Sequence, residues 1–265
     1  MGSKVPRSVY YHRLKTGKRP DRHLEVKERI TKIFHHHKGR YGYRRVHLAL
    51  RNDACYLNHK TVQRLMVQLG LQASTPPKRY RSYRGAIGKA APNLLARQFS
   101  AEQVNQKWAT DVTEFNVNGQ KVYLSPVIDL YNQEIVSHAI ADRPQMNMVM
   151  QMLGKAIRRL HPKDKPLLHS DQGWQYQMQA YQETLKDQGV IQSMSRKGNC
   201  LDNAIMEGWF GTMKTEFFHG KSFDSVESFK KELKEYIDYY NHDRIKQKLG
   251  GLSPVQYRNQ ALMLS

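Results

Sequence analysis

The sequence predicts an α/β fold: a mixed sheet covered by helices, preceded by a small all-α unit and followed by C-terminal helices. Three observations carry this expectation. Between residues 108 and 141 three apolar, β-favouring runs follow one another with turn residues between them. From 146 to 194 helical and strand patterns alternate, the order that lays helices against a sheet. Before residue 75 the apolar positions recur only at helical spacing.

The elements follow in order. Leu24, Ile30, Ile33 and Phe34 predict a helix from His23 to about Lys38, stopped at Gly39. His35, His36 and His37 at its end point around the helix, which reads as a polar last turn rather than a metal cluster. Tyr43 to Asn52 carries Val46, Leu48 and Leu50 among Arg44, Arg45 and Arg51. After a short break, Asn58 is a good N-cap for a helix from about His59 to Gly70 with the apolar stripe Val62, Leu65, Met66 and Leu69. Its other face offers Lys60, Thr61, Gln63, Arg64 and Gln68, so the pair has the layout of a helix-turn-helix with its recognition helix last. Residues 75 to 100 break periodicity with prolines and glycines and contain no acid, while Lys78, Arg79, Arg81 and Arg84 interleave with Tyr80 and Tyr83. This reads as a basic linker suited to tracking a phosphate backbone.

Strands are then expected at Trp108–Phe115, Lys121–Leu130 and Glu134–Ala141, with Asn118-Gly119 and Asn132 in turns. A helix from Met146 to Leu160, a strand from Pro166 to Ser170, a helix from Gln177 to Gln188 and a strand from Val190 to Met194 complete the core. A helix bearing Glu207 and another from Ser225 to Asn241 precede the tail. The expected division is a basic tail at 1–22, a helix-turn-helix unit at 23–74, the linker at 75–100, a catalytic core at 101–222 and a C-terminal helix and tail at 223–265.

Charge is unevenly placed along this order. Residues 1 to 100 hold 23 Lys and Arg against Asp21, Glu25, Glu28 and Asp53, a net of +19, whereas the remaining residues carry 20 bases and 19 acids. The first part is built to neutralise phosphates, which points to a nucleic acid. No apolar run approaches the roughly 18 residues of a membrane span, and the basic N-terminus leads into no signal-peptide core, so a cytoplasmic protein is expected. Cys55 and Cys200 fit reduced thiols better than a disulfide framework.

Within this basic chain three acids stand out. Asp111 lies midway along an expected strand, where an unpaired buried acid would cost several kcal/mol, so it must face solvent, a cation or a metal. Asp171 closes the short apolar strand ending Leu167-Leu168-His169-Ser170, at the strand end where open sheets place functional groups. Glu207 lies in a helix after the basic loop Ser195-Arg196-Lys197-Gly198-Asn199, with Asp202 as a possible cap and Lys214 two turns on along the same face. Carboxylates from two strands and a helix could hold a pair of Mg²⁺ ions about 4 Å apart, the arrangement that activates an attacking oxygen and stabilises a leaving one. Taken singly, each acid also reads as a cap or a surface charge.

At these residues the chain resembles the OrfB-type DDE transposases of the bacterial insertion-sequence three family, in the retroviral-integrase-like superfamily. The matching blocks are Trp108 to Phe115, His169-Ser170-Asp171-Gln172-Gly173, and Ser195 to Ala204 leading to Glu207 and Lys214, with 35 residues between Asp171 and Glu207. Upstream, Gly39-Arg40-Tyr41-Gly42-Tyr43-Arg44-Arg45 resembles the family's helix-turn-helix entry; downstream, Leu249-Gly250-Gly251-Leu252-Ser253-Pro254 resembles its terminal motif.

The resemblance implies an RNase-H-like core with Asp111, Asp171 and Glu207 as catalytic metal ligands for two Mg²⁺ ions, Mn²⁺ being able to substitute. It implies cleavage at the ends of a mobile element by water, then attack of the freed 3′-hydroxyl on another strand. The implied partners are double-stranded DNA (terminal inverted repeats and target), further copies of the chain assembled on that DNA, and an upstream OrfA or OrfAB fusion. Location at the bacterial nucleoid follows. DNA contacts are expected from Arg44, Arg45, Lys60, Thr61, Gln63, Arg64, Lys78, Arg79, Arg81, Arg84, Arg196, Lys197 and Lys214. Competing readings are a DNA-binding repressor or assembly partner that keeps the fold without catalysis, and an RNase-H-like nuclease that cuts without joining.

Overall fold

The computed structural model describes residues 6–9, 11, 21–73 and 91–264. It divides into two compact units, residues 1–73 and 74–265.

Among residues 21–73 the first unit packs the helices α1 (Leu24–His36), α2 (Tyr43–Asn52) and α3 (His59–Gln68). Ile30 and Phe34, Val46 and Leu50, and Val62, Leu65 and Met66 are the buried faces of the three, as their spacing requires. The Asn58 side chain caps α3 by accepting from the Lys60 N–H at 2.9 Å. Tyr41 is wholly buried between α1 and α2, stacked on His37 with ring centroids 3.7 Å apart. Burial holds His37 down at about 4, so its imidazole is neutral in the fold.

The second unit is a mixed sheet with helices on both faces. Its strands are β1 (Lys107–Thr110), β2 (Thr113–Val117), β3 (Gln120–Asp129), β4 (Ile135–Ala141), β5 (Leu167–Ser170) and β6 (Ile191–Met194). β3 pairs antiparallel with β4 on one edge and with both β1 and β2 on the other, and β1–β5–β6 are parallel neighbours. The β2–β3 hairpin turns through Asn118 and Gly119, both at positive φ, the backbone that this dipeptide favours.

The remaining helices are α4 (Met146–Ile157), α5 (Gln179–Asp187), α6 (Ala204–Met213), α7 (Val226–His242) and α8 (Pro254–Leu264). On one face Trp108, Val127 and Leu168 pack with Met148, Met152 and Leu153 of α4 and Tyr181 and Leu185 of α5. On the other, Ala109, Phe115, Leu124 and Ile128 pack with Met206, Phe210 and Met213 of α6 and Phe229, Leu233 and Tyr236 of α7. Successive residues Trp108 and Ala109 thus serve opposite layers, the alternation a two-sided sheet imposes. Among the described residues no helix is long and apolar enough to cross a membrane.

Two local readings are corrected. The expected strand Trp108–Phe115 is interrupted at Asp111 and Val112. The helix expected from Gln177 starts at Gln179, after a separate 3₁₀ turn over Trp174–Gln177. α6 passes at Lys214 into a π-helical turn over Lys214–Phe218, closed by the His219 N–H donating to the Lys214 carbonyl at 2.7 Å. That turn contains Glu216, which is buried against the Arg244 guanidinium at 2.6 and 2.8 Å.

Candidate active site

Strand register brings the two aspartates together. β1 and β5 run parallel with Trp108 opposite Leu168 and Ala109 opposite His169. Asp111 and Asp171 each follow the last residue of these adjacent strands, near enough for the charge of Asp171 to act on Asp111. Such strand ends are where open sheets carry their ligands.

Asp111 leaves the ladder because of its neighbour across the sheet. β1 and β2 share one register on β3, in which Asp111 falls opposite Pro126. Proline has no N–H to give, and the Pro126 carbonyl accepts instead from Thr110 Oγ1 at 2.8 Å. The Asp111 carboxylate accepts from the Val112 N–H at 2.7 Å. Asp171 is fixed in the same manner, accepting from the Gly173 N–H at 2.8 Å. A Cβ on Gly173 would stand 2.9 Å from Asp171 Oδ1, so only glycine leaves the carboxylate in place.

Glu207 enters from α6, one turn inside the helix and exposed. Just ahead of that helix, Asn203 donates Nδ2 to the Thr110 carbonyl at 3.3 Å, tying the start of α6 to the end of β1. Lys214 closes the group from the other end of α6, its Nζ 5.3 Å from the centroid of the Phe115 ring.

Electrostatics register the crowding. Burial, then the charge of Asp171 and more weakly that of Glu207, hold Asp111 well above the usual carboxylate range, against the Val112 N–H and Lys214. Burial also raises Asp171, against the Gly173 N–H, and raises Glu207. Lys214 is lowered by burial, opposed by the charges of Glu114 and Asp111. Among the described residues no group of three or more His, Cys, Asp or Glu stands ready to hold a metal ion. Asp111, Asp171 and Glu207 thus do not form such a group in the fold. Their donors are all carboxylate oxygens, and a half-buried aspartate pair that repels itself suits a hard divalent cation.

The other expected contact residues divide. Arg44, Lys60, Gln63 and Arg64 are exposed on the first unit, and Thr61 is half-buried. Arg45 is turned into the fold, its guanidinium 5.7 Å from the Tyr41 ring centroid and donating to the Arg40 carbonyl at 3.2 Å. Lys78, Arg79, Arg81 and Arg84 lie outside the described residues. Lys197 and Arg196 are both exposed, and Arg196 also donates through its backbone N–H, Nε and a terminal nitrogen to Asp202. Asp202 is therefore no helix cap: its carboxylate is wholly buried and given over to arginines.

Two residues near the site escaped sequence reasoning. Tyr176 is buried, and after burial the charges of Asp111 and Asp171 raise its phenol well above the usual range. Its place in Gln175-Tyr176-Gln177, directly after the Asp171 block, was the available signal. Arg97 pairs with Asp202 across 105 positions of sequence, a contact that no local pattern announces.

Comparison with known proteins fits this architecture. Family models described as "HTH-like domain" and "Integrase core domain" match residues 21–79 and 101–200, and a second integrase core model matches 207–262. The chain is 54% identical over 98% of its length to the putative transposase InsK for insertion sequence element IS150 of Escherichia coli, covering 92% of that protein. It is 35% identical over 88% of its length to the transposase InsF for insertion sequence IS3A of the same organism, covering 82% of it. Among solved structures it overlaps the HTLV-2 integrase catalytic core domain at 17% identity and a TM-score of 0.43, over 59% of this chain and 98% of that one. On the strength of its sequence relatives, the chain belongs to the insertion-sequence three family of transposases, in its OrfB branch, and is a polynucleotidyl transferase built on an integrase core.

Proposed function

We propose that this transposase cuts DNA at the ends of its element and joins the freed 3′-hydroxyl to a target strand, with Asp111, Asp171 and Glu207 as the catalytic carboxylates. The observation that supports the reading is the parallel pairing of β1 and β5, whose C-terminal ends are followed by Asp111 and Asp171, with Asn203 tying the start of the Glu207 helix to the end of β1. Asp111, Asp171 and Glu207 would hold Mg²⁺, with Mn²⁺ as a substitute; when bound, the ions activate the attacking oxygen and stabilise the leaving one. Lys214, beside Asp111, places a positive charge where a neighbouring phosphate of the scissile strand would lie. Val112 and Gly173 N–H groups orient the two aspartates, so their oxygens are aimed before DNA arrives.

DNA ends would be read by α3, which presents Lys60, Gln63 and Arg64 to solvent while Val62, Leu65 and Met66 anchor it. Pairing two ends calls for more than one copy of the chain, and an OrfA part or OrfAB fusion is a candidate companion. The place of action would be the nucleoid in the bacterial cytoplasm.

The test is incubation of labelled element-end DNA with the protein and Mg²⁺ or Mn²⁺, beside Glu207→Gln. Metal-dependent nicks and joined products are expected from the wild type, with the variant binding DNA normally but yielding neither. Cleavage without joining would favour a nuclease. Normal cleavage by Glu207→Gln would remove that residue from the site, and tight binding with neither product, even after OrfA is added, would favour a non-catalytic partner.

A further inference from the structure

Glu207 follows a loop, residues 195–203, that has no strand or α-helix of its own. What fixes this loop is an ion-pair cluster outside the site, in which the Asp202 carboxylate is shielded while the Arg97 and Arg196 side chains stay partly exposed. Asp202 is wholly shielded from solvent and accepts five hydrogen bonds. Three come from Arg196 at the start of the loop: the backbone N–H at 3.0 Å, Nε at 2.9 Å and a terminal nitrogen at 2.9 Å. The other two come from Asn93 Nδ2 at 2.9 Å and Arg97 Nε at 2.8 Å, far upstream in sequence. Arg97 also donates to Asn199 Oδ1 at 3.0 Å, so it grips the loop at two points.

The upstream segment is itself fastened to the sheet. The Leu94 and Leu95 N–H groups donate to Ser193 Oγ at 2.9 and 3.1 Å, the Met194 N–H donates to the Pro92 carbonyl at 3.2 Å, and Leu95 is buried in the core. With Ser193 Oγ accepting twice, its own hydrogen faces His169 Nδ1 at 2.9 Å, which leaves His169 Nε2 to donate to Ser195 Oγ at 3.1 Å. The stretch from Pro92 to Arg97, the end of strand β6 and the loop are therefore one fastened assembly. Both arginines are partly exposed, and without Arg97 the Asp202 carboxylate is still held by Arg196, so losing Arg97 loosens the loop rather than the fold.

We propose that Asp202 is a positioning residue for the reaction: through Arg196, Arg97 and Asn93 it fixes loop 195–203 so that Glu207 meets Asp111 and Asp171. Asp202 touches none of the reacting groups and acts only by where it leaves Glu207. The inference rests on the reading of Glu207 as the third catalytic carboxylate, and its test separates the two.

Arg97→Ala and Asp202→Asn are compared with wild type, Arg97→Lys and Glu207→Gln in the full chain. Arg97 is 42% exposed, so its removal spares the fold even if the Asp202 variant does not survive. Hydrogen–deuterium exchange of metal-free protein should show faster exchange confined to residues 195–207 in Arg97→Ala. Mn²⁺ titration followed by electron paramagnetic resonance should show affinity weakened about tenfold, with Arg97→Lys recovering part of it. Thermal midpoints should stay close to wild type. Unchanged exchange and Mn²⁺ affinity in Arg97→Ala, with Glu207→Gln inactive, would overturn the positioning role while leaving the catalytic reading intact. An active Glu207→Gln would overturn the catalytic reading, and the positioning role with it. Lower stability without any change in the loop's exchange relative to the rest of the core would reduce Asp202 to a structural ion pair.

Discussion

Asp111 and Asp171 are both partly buried and the charge of Asp171 raises Asp111, which the fold tolerates because each aspartate has a backbone N–H of its own. Elsewhere in the same unit two titrating residues work against each other. Burial, helped by the charges of Lys155 and Lys234, brings His138 down to about 4. Burial raises Asp129 to about 6, despite N–H donors from Asn105 and Tyr131. His138 stays neutral in the fold while the unfolded chain takes up its proton below about pH 6.5, so its contribution is whole above that pH and is lost as pH falls toward 4. Asp129 has the opposite sign: it keeps its proton in the fold, so its contribution is present below pH 4 and is lost as pH rises toward 6. The two offset each other over one window, each by about 2 kcal/mol after discounting for residual solvent. His138→Gln removes only the first. Urea unfolding at pH 4.5 and pH 7 should therefore show the variant gaining on wild type at the acid end by about that amount. An equal gap at both pH values would mean that His138 takes up its proton in the fold as it does in the unfolded chain.

At the scale of elements, the site is made by interruptions. Pro126 removes one rung from the β1–β3 ladder and lets Asp111 turn out of it. The proline lies within an expected strand, yet Trp108–Phe115 reads as one unbroken run because β-favouring residues such as Val112, Thr113 and Phe115 continue across the gap. Helix and strand identities were legible for the same reason: buried faces such as Val62, Leu65 and Met66 repeat at the spacing of the element that buries them. The pairing of Arg97 with Asp202 and the π turn at Lys214 were not legible, since both depend on contacts between residues far apart in sequence.

The turn after β5 permits a direct check on such placement. Gln177 donates Nε2 to the Gln172 carbonyl at 2.6 Å and Gln192 donates to the Tyr176 carbonyl at 2.7 Å, so the turn cannot drift to make room. A methyl group on Gly173 would meet Asp171 Oδ1 and Gln175 Oε1 at 2.9 Å, and the carboxylate would have to move. Gly173→Ala should lower the cleavage rate about a hundredfold, the usual cost of displacing a catalytic group by about an ångström. DNA affinity and the thermal midpoint should change little. A rate near wild type would mean that the carboxylate's position tolerates the shift.

Across the whole molecule, charge and chemistry are separated along the chain. Residues 1 to 100 carry 23 of the 43 Lys and Arg but only four acids, whereas the rest is nearly balanced and contains all three candidate catalytic carboxylates. Were the catalytic unit as basic as the first hundred residues, its surface would compete with a divalent cation for those carboxylates; were the first part neutral, DNA would have to be held beside acids that repel its phosphates. Affinity should therefore come from the N-terminal part by displacement of counterions, with log affinity falling linearly against log salt by about 0.9 for each phosphate neutralised. Arg64, exposed on α3, should be one such contact. Arg64→Ala should weaken end binding and make the salt slope shallower by about one unit, while Asp171→Asn leaves that slope where it was. Fluorescence anisotropy on an element-end duplex between 50 and 200 mM salt measures both. An unchanged slope in Arg64→Ala would take α3 out of the phosphate contacts, and a slope altered by Asp171→Asn would mean that binding and catalysis share a surface after all.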